Sequence, residues 1–174
     1  GLSERIDWIT PEASYAHPLD GGRAVMAWHD LDCTVDGLGR GGPAYRALIA
    51  PLSRRIRELV DFTGDQLLRV PRHPMLVAGF GARMLVTGTP AGRVQFSPEV
   101  EAMLTGVLAH GNTPLPSLAA AASGLFLAAH AHTAEGWSLP RGGAQRIADA
   151  LVEDLKAHGG TVETGGRPTP SQRG

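Results

Sequence analysis

The sequence has 174 residues, of which 43% are hydrophobic and 19% are charged, and its formal net charge is −1. This length suffices for one domain with a core, and the small net charge excludes the electrostatic attraction on which binding to nucleic acid or an anionic membrane depends. The single Cys33 cannot form an internal disulfide, and the absence of a signal-peptide pattern favours a reducing, cytoplasmic location. The longest apolar stretch, residues 118–131, is too short to span a bilayer and predicts a buried helix.

The first part of the chain is predicted to form a small antiparallel hairpin followed by a short helix. Tyr15–Leu19 and Ala24–Trp28 are apolar runs separated by Asp-Gly-Gly at residues 20–22. Glycine reaches positive φ without a Cβ penalty, so this tripeptide is typical of a hairpin turn. Asp30 is a suitable N-cap for the helix, and Gly39 is placed to end it.

Longer helices are predicted after residue 42. Gly42 and Pro43 begin the first of them, and Pro51 inside it predicts a kink or a split. Residues 75–86 are ambiguous between strand and helix, and we favour a helix that begins at Pro74. Further helices are predicted over residues 97–109, 117–133 and 144–158, followed by a short strand over residues 161–164. The fold class is therefore α+β: mostly helical, with a small antiparallel sheet near the N-terminus and a C-terminal helix–strand unit.

A dinucleotide-binding motif is suggested by Gly79 and Gly81, but the surrounding residues argue against it. Met84 occupies the position of the third glycine, where a side chain blocks close packing of helix on strand. An acidic residue in a strand about 20 residues further on is also missing, because Glu99 begins a helix. We interpret this segment as a packed helix.

No metal site is predicted. His130 and His132 are the closest pair of histidines, but two residues apart on a helix means nearly opposite faces. Both side chains therefore cannot bind one ion, and a structural role at a helix end is favoured.

The loop Arg141-Gly142-Gly143 lies directly before a predicted helix. Two glycines let the backbone approach a ligand closely, and the free N–H groups at a helix start favour an anion or an electron-rich ring edge. Glycines also occur in ordinary tight connections, and local chemistry by itself favours that simpler interpretation.

Three blocks of this sequence carry a resemblance to a known family. They are AHPLDGGRAV (residues 16–25), LAHGNTPL (residues 108–115) and GWSLPRGGAQRIADALVEDLKAHGGTVETG (residues 136–165). In this order they resemble the middle region of phytoene-dehydrogenase-like, FAD-dependent oxidoreductases, and the similarity extends from about residue 4 to residue 165. The last block is the most specific.

The resemblance implies a domain organisation. Enzymes of this family begin with a dinucleotide-binding βαβ unit, insert a substrate domain and then return to the FAD domain. By this comparison, residues 1–138 are a substrate-domain-like region, residues 139–165 are the helix–strand return to an FAD domain, and residues 166–174 are a disordered tail. The chain is expected to be an internal piece that lacks the dinucleotide-binding unit.

The resemblance also implies a function for the intact enzyme: FAD-dependent dehydrogenation, with hydride transfer from a substrate C–H to the flavin. The expected cofactor-binding residues are Arg141, Gly142, Gly143 and Gln145, and no catalytic acid or base is identified. An apolar small-molecule substrate is expected, for which the helices at residues 97–109 and 117–133 are candidate pocket walls, although core packing explains their composition equally well. The alternative is a non-catalytic helical interaction module or an inactive truncated remnant.

Overall fold

The computed structural model describes residues 1–64 and 70–166, and it confirms the predicted α+β class. The predicted disordered tail lies outside the described residues from position 167 onward. The strands are β1 (Trp8–Ile9), β2 (Ala13–Leu19), β3 (Arg23–Trp28) and β4 (Leu139–Pro140). The helices are α1 (Leu31–Gly37), α2 (Gly42–Ser53), α3 (Ile56–Thr63), α4 (Pro74–Gly88), α5 (Pro90–Arg93), α6 (Pro98–Leu108), α7 (Leu118–Ala131) and α8 (Gln145–Ala157).

The chain divides into two compact units. The helical unit is Thr10–Trp137, and the terminal unit combines Gly1–Ile9 with the segment that begins at Ser138. The domain organisation predicted from the sequence assigned residues 1–9 to the same region as residues 10–138. Antiparallel pairing of β1 with β4, in which Trp8 lies opposite Pro140, instead groups those residues with the last part of the chain.

The predicted hairpin and the helix after it are confirmed. β2 pairs antiparallel with β3, and the turn between them has Gly21 at a φ of 76°. Asp30 caps α1, since its Oδ1 accepts a hydrogen bond of 2.7 Å from the backbone N–H of Asp32. Both features depend on hydrogen bonds between residues close in sequence, which explains why the sequence predicts them.

The helix that contains Pro51 splits as predicted, although the break follows the proline by a few residues. α2 continues to Ser53 and α3 begins at Ile56. Proline has no N–H, so it cannot donate to the carbonyl of Ala47 four residues earlier. Arg83 of α4 supplies the missing donor: its Nη2 bonds the Ala47 carbonyl at 3.0 Å, and its Nε bonds the Leu48 carbonyl at 2.9 Å.

α7 is the central element of the helical unit. It packs against α2, α4 and α6, which agrees with the predicted burial on most of its sides. Gly124 of α7 lies against Leu108 of α6, and a Cβ built there would be 2.7 Å from the Leu108 Cα. The absence of a side chain therefore lets the two helices approach closely. Fully buried side chains of these two helices include Val100, Met103, Leu104, Val107, Leu125 and Ala128.

The terminal unit confirms the predicted helix but corrects the strand predicted after it. α8 spans Gln145–Ala157, whereas Thr161–Thr164 forms no strand. A strand needs a hydrogen-bonded neighbour, and the described residues pair none with this segment. The apolar stripe of α8 is largely uncovered, with Leu151 52% and Leu155 46% exposed.

Candidate functional site

The loop predicted to approach a cofactor lies in the terminal unit, between β4 and α8. Arg141 donates its backbone N–H to the Asp7 carbonyl at 2.8 Å, and its Nε forms an ion pair with Asp7 Oδ2 at 2.5 Å. Gly142 and Gly143 have φ angles of 87° and 95°. These angles favour glycine because a Cβ is strained in this region. The two glycines are therefore required by the backbone turn, whatever else the loop does.

The loop forms an open surface, which limits how it fits a flavin. Arg141, Gly142, Gly143 and Gln145 are all exposed, and a Cβ built at Gly143 meets nothing within 4 Å. The Gln145 side chain is engaged locally, since its Nε2 donates to Asp149 Oδ1 at 3.1 Å. The four residues leave the backbone approachable, but they do not enclose a group of the size of a flavin. We therefore assign no chemical step to them.

A large apolar cavity lies within the helical unit, between α3, α4 and α7. Its volume is about 620 Å³, which is in the range of small-molecule binding sites. Most of the side chains around it are aromatic or aliphatic. The cavity is lined by Phe62, Thr63, Val77, Phe80, Gly81, Met84, Ala122, Ser123, Phe126 and Leu127.

The two hydroxyl groups at this cavity are already bonded to helix carbonyls. Thr63 Oγ1 donates to the Leu59 carbonyl at 2.9 Å, and Ser123 Oγ donates to the Ala120 carbonyl at 3.2 Å. None of the lining side chains is charged. Because a buried charge without a partner is costly, the cavity is suited to a neutral, apolar ligand.

The sequence predicted only part of this cavity. α7 lines it, as expected for one of the two candidate helices, but α6 contributes no lining residue. The apolar side chains of α6 pack instead against α7 and the β2–β3 hairpin. The walls from α3 and α4 were missed. Phe80 and Met84 are four residues apart and share one face of α4, a signal that the sequence contained but that core packing explains equally well.

A buried network of tyrosine and histidine joins three elements of the helical unit. Tyr45 of α2 shares a hydrogen bond of 3.1 Å with His132 Nε2, just after α7. The hydroxyl of Tyr45 also lies 3.4 Å from that of Tyr15 in β2. Burial raises the pKa of Tyr15 to about 12, and burial together with the neighbouring Tyr15 raises the pKa of Tyr45 well above its ordinary value. Both hydroxyls therefore stay protonated at neutral pH, and the network is structural.

Two histidines of the helical unit are held in their neutral form. Burial lowers the pKa of His132, and burial followed by the neighbouring His110 lowers the pKa of His17. The His17 ring packs directly on Gly106 of α6, and its Nε2 is buried without a hydrogen-bond partner among the described residues. Protonation of either ring places a charge where desolvation disfavours it.

Acidification is therefore expected to destabilise the fold. With folded-state pKa values below the ordinary 6.5, the two histidines bind protons more readily in the unfolded chain. The stability that the two neutral histidines contribute is fully present when the pH is above the ordinary pKa of histidine. This stability is lost as the pH falls below the ordinary pKa and through the lower folded-state pKa values. Thermal unfolding followed by circular dichroism at about pH 8 and about pH 5 measures the loss as a decrease in Tm.

Two variants separate this effect from general acid sensitivity. His132→Gln should show a smaller decrease in Tm between the two pH values than the parent. His73→Gln, which changes an exposed histidine, should keep the parent's decrease. An unchanged pH dependence in His132→Gln would contradict the assignment.

The other motifs considered in the sequence, the glycines at residues 79 and 81 and the histidine pair at residues 130 and 132, lie in or at the end of helices. Gly79 and Gly81 lie inside α4, and residues 70–73 directly before that helix form no strand, so the segment is the packed helix that was predicted. His130 is in the last turn of α7 and His132 follows it. Among residues 1–64 and 70–166, no three His, Cys, Asp or Glu side chains are close enough to hold a metal ion. In the same ranges, every helix is too short or too polar to cross a bilayer.

No family model, curated protein or solved structure matches this chain. The resemblance to FAD-dependent oxidoreductases therefore depends on the three sequence blocks alone and stays a prediction.

Proposed function

We propose that this chain is part of an FAD-dependent oxidoreductase of the dehydrogenase or desaturase type, in which the helical unit binds an apolar substrate. The observation that carries the proposal is the cavity of about 620 Å³ between α3, α4 and α7. The similarity of residues 136–165 to the flavoenzyme family supports the reaction class. The role of this chain is to bind and orient the apolar part of the substrate.

The composition of the cavity wall favours such a ligand energetically. Removing apolar surface from water contributes roughly 25 cal/mol per Å² of favourable free energy. A ligand that covers the three phenylalanines is therefore stabilised by burial of its own apolar surface and of theirs. Phe62, Phe80 and Phe126 also offer ring faces and edges to an unsaturated ligand. An ionised ligand gains no compensating partner from the lining side chains.

The loop at residues 141–145 has a more limited role in this proposal. It presents the backbone of Gly142 and Gly143 to the flavin, and residues beyond this loop complete the cofactor site. FAD held at such a site would supply the hydride acceptor. The open geometry of the loop supports surface contact with a cofactor and gives no basis for tight FAD binding by these residues alone.

Filling the cavity is expected to weaken the binding of an apolar probe. Ala122 of α7 lines the cavity, and Ala122→Phe places a ring inside it. We expect the affinity for the fluorescent polyene diphenylhexatriene to fall by about tenfold or more, since one lost methylene-sized contact is already worth roughly 1–3 kcal/mol in an apolar pocket. Fluorescence titration measures the change. The matched control is Ala119→Phe, which adds the same ring to an exposed position of α7 and should leave the affinity unchanged.

A parallel FAD titration, followed by gel filtration and flavin absorbance, separates the two parts of the proposal. Retained flavin would support a site that this chain completes by itself. Probe binding without flavin uptake would keep the substrate-binding role and show that this chain does not form a complete FAD site. A chain that binds neither would favour a non-catalytic interaction module or an inactive remnant.

A further inference from the structure

Three glycines lie within α4, at positions 79, 81 and 88. Glycine destabilises the interior of a helix relative to alanine, because the backbone loses more conformational freedom on folding. A glycine at one of these positions is therefore expected where a side chain would collide either with the rest of the fold or with a ligand of the helix.

Packing explains two of them. A Cβ at Gly79 would lie 3.3 Å from Arg83 Nη1, which itself donates to the Gly79 carbonyl at 2.9 Å. A Cβ at Gly88 would lie 2.8 Å from the Ser117 carbonyl oxygen. At both positions a side chain would press on atoms that hold α4 in place.

Packing does not explain Gly81. A Cβ built at this position meets nothing within 4 Å, and the backbone is not in the positive-φ region that favours glycine. Gly81 also lines the apolar cavity. The space above it is therefore the space that a ligand of this cavity would occupy.

We propose that Gly81 determines the specificity of the apolar site, by leaving room for a broad, planar and neutral group such as a fused-ring system against the backbone of α4. This inference rests on the proposed function. A slender chain can lie beside an added methyl group, whereas a flat ring system needs the helix surface free of a side chain. Phe80 and Phe126 on the cavity wall provide aromatic surfaces for the other parts of such a group.

The substitution Gly81→Ala tests this role, because stability and binding are expected to change in opposite directions. Better helix propensity should raise Tm by about 2–4 °C. The affinity for pyrene, a flat four-ring probe, should fall by about tenfold or more, as for one misplaced methylene in an apolar pocket. The affinity for rod-shaped diphenylhexatriene should change by less than about twofold.

A compensated variant removes the stability difference. Ala82 is an exposed neighbour outside the cavity, and Ala82→Gly restores a glycine to α4. Gly81→Ala combined with Ala82→Gly should have a Tm near that of the parent and keep the altered probe preference. Ala82→Gly alone should lower Tm and bind both probes as the parent does.

The outcomes distinguish this inference from the proposed function. If the parent binds both probes and Gly81→Ala weakens both equally or neither, the role of Gly81 is overturned while the cavity remains a binding site. If the parent binds neither probe, both the proposed function and the role of Gly81 are overturned. Selective loss of pyrene binding supports both.

Discussion

Replacing Tyr45 with alanine is expected to lower the free energy of unfolding by about 3–5 kcal/mol, the range observed when a large buried aromatic side chain is truncated. Tyr45 is 0% exposed and belongs to the core of the helical unit. Its loss leaves a cavity and also removes the hydroxyl that bonds His132 and Tyr15. Urea unfolding monitored by circular dichroism measures the change.

Tyr45→Phe separates the ring from the hydroxyl. This variant keeps the packing and should lose about 1–2 kcal/mol, because it leaves the buried His132 Nε2 without its partner. A loss in Tyr45→Ala no greater than that in Tyr45→Phe would contradict a packing role for the ring.

Gly124→Val is expected to lower the free energy of unfolding by about 3 kcal/mol, at the upper end of the usual cost of overpacking a core. A Cβ at Gly124 would lie 2.5 Å from Leu108 Cδ1 and 2.7 Å from Leu108 Cα. The backbone contact means that α6 and α7 must move apart, and the effect should appear as a lower urea midpoint.

A second substitution shows which contact dominates. Leu108→Ala removes the side-chain clash but leaves the Cα where it is, and it opens a cavity of its own. The double variant should therefore be no more stable than Gly124→Val. Recovery of stability would mean that the Leu108 side chain, and not the helix backbone, limits the approach. Gly81→Ala is expected to raise stability, whereas Gly124→Val is expected to lower it. The two variants therefore compare a glycine that faces open space with a glycine that is packed against a neighbouring helix.

Features governed by near neighbours in the chain were predictable. The cap at Asp30, the turn at Gly21 and the starts of the helices near residues 97 and 117 were predicted and are confirmed. In each case the hydrogen bond or the φ angle involves residues within a few positions. The split after Pro51 belongs to the same group, since the missing N–H is a property of the residue itself.

Features governed by distant partners were not predictable in the same way. The strand expected at residues 161–164 required a neighbour that none of the described residues provides. The Tyr45–His132 hydrogen bond joins residues 87 positions apart, and the Arg141–Asp7 ion pair joins residues 134 positions apart. Residue type and spacing contain no information on which of these side chains meet.

The sequence by itself determined where most of the helices begin, where the hairpin turn at Gly21 lies, and which residues are apolar. The tertiary structure alone decided that α3, α4 and α7 line the apolar cavity while α6 faces the core. The reason is physical. Local hydrogen bonds are formed between neighbours in the chain, whereas a cavity exists only where the packed faces of helices distant in sequence fail to fill the space between them.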